Sequence, residues 1–244
     1  MGFLLLFKRL LPFNFASRLA SFMAFFVWSF HWCVEAWKLR KTVGGANLTL
    51  RGSERAEIAE SLFGLYPFSN LLEVGCGFGQ NFHVLAPIFP DVEMVGVDID
   101  PMCVVGGQEE IDKMGYSNVK LFERDAAVLA DFPNASFDVL ISVASLLYVG
   151  PQSIVAVVCE MLRVTRRAII LVEQHEDRGG DQQGELGTPL MTPKGMIYWL
   201  RDYRGLFSRF VNSACIEVKK IPSPLWNTER WMTLGHLIEI RFDL

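Results

Sequence analysis

The sequence predicts an α/β fold: a doubly wound, mostly parallel seven-stranded sheet with an antiparallel C-terminal edge, preceded by apolar N-terminal helices. Three observations lead there. Strand-like apolar runs alternate with helix-length segments from Asn70 to Glu173, the pattern of a parallel sheet covered on both faces. Central runs such as Val139-Leu140-Ile141 are continuously apolar, as strands buried on both sides are. The chain then closes on two strand-like segments, Ala214–Ile221 and Thr233–Phe242, instead of a further strand–helix–strand unit, and that ending implies an antiparallel edge.

The elements follow in order. Residues 1–45 read as a helical segment apart from a domain at 46–244, with Gly44-Gly45 as the break. Leu19–Val34 carries only His31 as a chargeable member, yet it falls short of the roughly 20 apolar residues a spanning helix needs. Phe22, Phe25, Phe26, Trp28, Phe30 and Trp32 crowd the run. That density suits an interfacial helix on a membrane surface, and it suits equally a lid on the domain, a dimer contact or a tilted span. No small-residue cleavage site follows, which argues against a signal peptide.

In the domain, Arg55–Tyr66 reads as a helix running into Pro67. Strands are expected at Asn70–Val74, Val92–Val97, Val119–Phe122, Phe137–Val143 and Ala168–Glu173. Helices are expected at Gln80–Ala86, Pro101–Met114 and Gln152–Arg163. Asp100-Pro101 supplies a helix cap followed by proline in the first turn. A looser, glycine-rich stretch covers Asp177–Thr188, and a further helix is expected at Pro193–Tyr203.

Bulk properties narrow the function. The 244 residues are 51% hydrophobic with a net charge of −4, so the overall field does not favour a nucleic-acid partner. The charge is polarised: residues 1–55 hold eight Lys/Arg against two acids, leaving the remainder at −10. A basic, apolar N-terminus ahead of an acidic domain points to a membrane surface or a separate docking element, through residues 1–40. The five cysteines (33, 76, 103, 159 and 215) are scattered, with no C-x-x-C pair. They read as reduced thiols of a cytoplasmic protein, on the cytosolic membrane face if it is peripheral, and no metal site is expected.

The chemistry concentrates at strand ends, where open α/β sheets bind ligands. The first strand runs into Glu73-Val74-Gly75-Cys76-Gly77-Phe78-Gly79-Gln80-Asn81. Glycines there let the backbone turn tightly and approach a ligand, and Gln80 and Asn81 lie at a helix start, where free N–H groups can meet a carboxylate. The second strand ends in Asp98-Ile99, the third is followed by Asp125-Ala126, and the fourth closes with Ser142-Val143. Together with Phe137-Asp138-Val139-Leu140, these motifs in this order resemble the class I, Rossmann-like S-adenosylmethionine-dependent methyltransferases over Leu71–Glu173.

The resemblance implies a cofactor, S-adenosyl-L-methionine, and roles for residues. The glycine turn (Gly75, Cys76, Gly77, with Gln80 and Asn81) would cradle the amino-acid end, with Glu73 beside the ammonium or the loop. Asp98 would accept the ribose hydroxyls, Ile99 would lie beside adenine, and Asp125 with Ala126 would meet the adenine amino group. Asp125 alternatively caps a short helix. Ser142 and Val143 would line the pocket. The acid before the glycine turn and the two-strand ending both point away from nicotinamide binding.

A hydroxyl acceptor benefits from a base. The residues at the end of the fifth strand and after it, Glu173, His175 and Glu176, are the candidates, His175 because imidazole titrates near neutrality; the alternative is that they are loop residues capping the glycine-rich turn. Tyr198, Trp199, Arg201, Tyr203, Trp226 and Trp231 suit either a polar substrate such as a sugar or plain packing. The expected reaction is O-methylation of a small molecule, a glycan or a lipid-linked intermediate. The rivals are N-methylation of a lipid headgroup or amine, and a non-catalytic subunit that binds a partner.

Overall fold

The computed structural model describes residues 54–179, 181–191, 195, 197–221 and 229–242. The expectations for residues 1–45 lie outside them. In chain order the elements are α1 (Glu54–Leu65), β1 (Asn70–Val74), α2 (Phe82–Ile88), β2 (Glu93–Asp98), α3 (Pro101–Met114), β3 (Val119–Glu123) and β4 (Phe137–Val143). A 3-10 turn (Leu146–Tyr148) precedes α4 (Ile154–Val164) and β5 (Thr165–Gln174). Then come α5 (Gln182–Leu186), β6 (Thr188–Met191), β7 (Ile197–Leu200), α6 (Tyr203–Ser208), β8 (Ile216–Lys220), α7 (Glu229–Leu234) and β9 (Gly235–Arg241).

Seven strands form one sheet in the order β3-β2-β1-β4-β5-β9-β8. The five from β3 to β5 are parallel, while β9 runs antiparallel to both β5 and β8. This is the expected mixed sheet with its antiparallel edge. Alternate residues of each strand face opposite layers. Leu71, Met94, Val139, Ile141, Ile170 and Val172 pack under α1, α2 and α3 with Ile58, Leu62, Phe82 and Ile111. Leu72, Val97, Leu140, Ile169, Leu171 and Ile238 pack under α4 and α6 with Val157, Met161, Tyr203 and Phe207. Apolar residues on both strand faces are thus explained by two cores, one on each side of the sheet.

The caps follow the sequence. The Asp100 carboxylate accepts the Met102 N–H at 2.9 Å with Pro101 in the first turn of α3, and Gly115 ends that helix at φ 77°, a conformation glycine adopts without penalty. Two expectations fail. The helix expected at Pro193–Tyr203 is instead β7, paired antiparallel with β6, followed by α6. Burial alternates along β7, with Tyr198 and Leu200 inward and Ile197 outward. That is a period of two, which aromatic and β-branched residues favour. The stretch Asp177–Thr188 is likewise not all loop, because the Asp181 carboxylate accepts the Gln183 and Gly184 N–H groups and starts α5. Among the described residues no helix is long and apolar enough to cross a membrane.

Candidate functional site

The parallel strands β1, β2 and β4 deliver their C-terminal ends to one edge of the sheet. Leaving β1, the chain turns at Gly75 (φ 74°), Gly77 (φ 53°) and Gly79 (φ 72°). The Gly75 and Cys76 N–H groups donate to the Val97 carbonyl at 2.8 and 3.0 Å, which fastens the turn to β2. Gly75 is required twice over. Its φ is left-handed, and a Cβ there would stand 1.7 Å from Ser145 Oγ. Ser145, two residues past β4, therefore closes directly on the turn. Gly77 is different: among the described residues a Cβ there would meet only Gln80 Oε1, at 3.4 Å, so they leave its outer side open.

Asp98 buttresses this turn. Its Oδ2 accepts the Gly77 N–H at 2.8 Å and its Oδ1 the Asp100 N–H at 3.0 Å. Burial raises its pKa, while these amides pull it down. The residue keeps some exposed surface, and a carboxylate offers about four lone-pair sites, so acceptor capacity remains for a ligand. Ile99, just beyond, is 51% exposed, an apolar surface beside an acceptor. Glu73 is buried, and its Oε1 accepts from Asn81 Nδ2 at 2.6 Å. That bond explains why Asn81 does not cap α2 with its side chain. Cys76 is buried and its thiol is pushed well up by burial and by the charges of Glu73 and Asp98, which keeps it protonated and unreactive. Gln80 is exposed.

Asp125 is exposed and accepts the Ala127 N–H at 2.8 Å. This is the turn-capping geometry that was its alternative reading. Ala126 is half-buried. Ser142 has no exposed surface and donates to the Val74 carbonyl at 2.9 Å. Its hydroxyl therefore ties β4 to β1 instead of facing a pocket, while Val143 is half-buried. Ala144 follows at φ 51°, a conformation costly for a residue other than glycine. Strain of this kind gathers at functional turns.

The fifth-strand candidates differ from expectation. His175 is 3% exposed, and its Nδ1 accepts the Tyr203 N–H at 3.1 Å. The proton of the neutral ring must then sit on Nε2, which leaves no lone pair for base catalysis. Burial, with His236 beside it, lowers its pKa to about 4. The expectation of a general base at His175 is corrected accordingly: the ring is a structural acceptor for the start of α6. Glu173 is wholly buried, with Oε1 accepting the Ser145 N–H at 2.9 Å and the Leu146 N–H at 2.7 Å. Burial raises its pKa to about 7. Several of the aromatic and arginine residues near the C-terminus pack: Tyr203 is in the core, Arg201 is buried, and Arg230 lies 5.4 Å over the Tyr198 ring; Trp226 lies outside the described residues. Sequence reasoning missed Ser145 altogether, since only the sheet register brings it to Gly75.

Comparison with known proteins bears on this geometry. Residues 71–168 match a family described as "Methyltransferase domain". Over these residues the chain is similar to a methyltransferase domain. A malonyl-[acyl-carrier protein] O-methyltransferase from Paenibacillus sp. (strain JDR-2) is 27% identical over 93 residues, covering 36% of this chain and 34% of that protein. The chain thus spans about a third of the length of the curated relative it matches. The N-terminal domain of EvdMO1 with SAH bound superposes with a TM-score of 0.57 at 20% identity, over 78% of this chain and 82% of that one. The [4+2]-cyclase SpnF superposes with a TM-score of 0.55 at 16% identity, over 80% and 85%. Both show the fold. S-adenosylmethionine is the cofactor the resemblance implies, and the residues present fit it: among the described residues little faces the outer side of Gly77, and the partly exposed Asp98 keeps acceptor capacity beside it.

Proposed function

We propose that this chain transfers a methyl group from S-adenosylmethionine to an oxygen of a small molecule, a glycan or a lipid-linked intermediate. The observation that carries the reading is the glycine turn of β1, held from below by Asp98 and from the side by Ser145, with its outer side left open at Gly77 by the described residues. In this reading Gly75, Cys76, Gly77, Gln80 and Asn81 hold the amino-acid end of the cofactor, and Glu73 sets that end through Asn81. Asp98 accepts the ribose hydroxyls. Ile99, Asp125 and Ala126 flank the adenine, and Val143 forms the wall beneath it. The cofactor, when bound, supplies an activated methyl group. The protein's part is to orient the acceptor in line with it, which supplies much of the rate.

The acceptor class can be sharpened. With His175 lacking a free lone pair and Glu173 wholly buried beneath the turn that its Oε1 holds, neither of these two candidates is placed to reach a hydroxyl that arrives from outside. An oxygen that arrives ionised, as a carboxylate does, needs no such base. The relative from Paenibacillus is named as an O-methyltransferase of malonyl-[acyl-carrier protein], which favours acidic acceptors here too. An amine acceptor, arriving with its own lone pair, is the second reading on the same observation. The outer face of the β6–β7 hairpin presents Pro189, Met191, Ile197 and Trp199 together, and this apolar surface suits an acceptor with an apolar portion. Residues 1–40 add a basic, apolar segment for a membrane surface; deleting them should move the protein from the membrane pellet to the supernatant, and a full-length chain already soluble without detergent would defeat that part.

Calorimetric titration with S-adenosylhomocysteine, with NAD as control, tests the core of the proposal. Micromolar binding of the former alone is expected. Absence of binding would leave the fold in a partner-binding role.

A further inference from the structure

A buried polar group lies where β5 and β7 end, and the methyl-transfer reading leaves most of it unused. Glu173 and Arg201 are 0% and 1% exposed. Glu173 Oε1 accepts from the backbone of Ser145 and Leu146, as above, and its Oε2 has no hydrogen-bond partner among the described residues. Arg201 reaches the same turn from β7. Its Nη1 donates to the Leu146 carbonyl at 2.7 Å and its Nη2 to the Val149 carbonyl, while its Nε donates to the Leu186 carbonyl at 3.1 Å. The turn is therefore gripped on both kinds of backbone group, its N–H groups by a carboxylate and its carbonyls by a guanidinium. The two charges also favour each other.

Burying a guanidinium and a carboxyl group to fix one short turn is costly, and apolar side chains would fill the same volume more cheaply. The turn must therefore be held in one conformation for a reason beyond packing. Its first residue supplies that reason. Ser145 rests on Gly75 so closely that no side chain fits between them, and Ala144 before it is in the left-handed region. Without a clamp, the turn would relax away from the glycine loop.

We propose that Glu173 and Arg201 are positioning residues that hold the Ser145–Val149 turn closed against Gly75 and so shape the cofactor pocket. The inference rests on the methyl-transfer reading of that pocket. The clamp acts through backbone groups, so it requires an acceptor at Glu173 Oε1 and a multi-donor cation at Arg201, and it requires no charge at Glu173.

The test compares wild type with Glu173→Ala, Glu173→Gln and Arg201→Lys by S-adenosylhomocysteine titration, with denaturation curves showing which variants are folded. Glu173→Ala should bind at least tenfold more weakly. Glu173→Gln retains an Oε1 that accepts both N–H groups and should bind within threefold of wild type; this rescue separates positioning from general loss of structure. Arg201→Lys keeps the charge, loses the fork that spans two carbonyls, and should bind several-fold more weakly. If Glu173→Ala does not fold, the Gln and Lys variants decide. Arg201→Lys binding like wild type, or Glu173→Gln binding tenfold more weakly, overturns the clamp. A wild-type chain that binds nothing overturns the functional reading with it, whereas wild-type binding that all the variants retain overturns the clamp alone.

Discussion

Two sets of strand ends in this molecule treat their polar residues in opposite ways. At the ends of β1 and β2, Asp98 is partly exposed, Ile99 is exposed and the described residues leave Gly77 open outward. At the ends of β5 and β7, Glu173, His175 and Arg201 are buried and bonded to backbone groups. Both sets sit where an open α/β sheet places ligand-binding groups. Location alone therefore does not assign function. What separates the two is whether a polar atom keeps capacity for something outside the protein. The first set does; the second is committed to holding the turn and helix that frame the first.

Removing the buried cation should show the difference most strongly. Arg201→Leu removes a charged donor from three carbonyls, of which Leu146 keeps the Val149 N–H. A hydrogen bond to a charged group contributes about 1.5–3 kcal/mol, so several kcal/mol are at stake. Urea denaturation should show a loss of that order, and a loss below about 1 kcal/mol would mean that water reaches the site.

The carboxylate partner should respond to pH instead. Burial raises Glu173 from 4.5 to about 7 in the folded chain, so the folded protein holds a proton there that the unfolded chain has released. Wild type thus loses stability as pH rises from about 4.5 to about 7. Glu173→Gln, which cannot ionise, escapes this loss. The stability difference between variant and wild type should therefore move in the variant's favour by up to about 3 kcal/mol between pH 5 and pH 8, on top of a pH-independent cost of leaving Arg201 without a carboxylate beside it. Parallel stability curves for the two proteins would show that Glu173 ionises as freely as a surface carboxylate.

On the open side the effect should fall on binding. Asp98→Ala removes the acceptor aimed at the ligand together with the buttress under Gly77. S-adenosylhomocysteine affinity should drop at least tenfold, about 1.4 kcal/mol, with a smaller change in the denaturation midpoint than Arg201→Leu causes. Unchanged affinity would remove Asp98 from the site and erase the contrast between the two strand ends.

How far the sequence carried this distinction depends on range. The parallel strands, the glycine turn and the Asp100 cap are local patterns and were legible. Glu73 could be seen to precede the turn, but its bond to Asn81 could not. The β6–β7 hairpin was misread because a short apolar run containing Tyr198 and Trp199 fits a helix and a strand alike. Arg201 was visible only as one of a cluster of arginine and aromatic residues, and its three carbonyl acceptors come from Leu146, Val149 and Leu186, distant or separate in sequence. His175 looked like a base because a histidine at a strand end usually has a free face; the Tyr203 N–H that occupies it arrives from a helix whose start was itself misplaced.

That histidine provides the finest test. Asn at position 175 can offer its Oδ1 where the imidazole offers Nδ1, so His175→Asn keeps an acceptor for the Tyr203 N–H. S-adenosylhomocysteine affinity, and turnover with any acceptor that is found, should stay within about threefold of wild type, under 1 kcal/mol. The acid limb of stability should nevertheless change. The folded chain holds His175 neutral down to about pH 4, while the unfolded chain takes up its proton near 6.5. Wild type therefore loses stability as pH falls through that interval, and the variant should lose less. A turnover loss of a hundredfold or more with binding intact would instead restore His175 as the base. The line between the framing residues and the reacting ones would then run through β5 itself, and hydroxyl acceptors would return to first place.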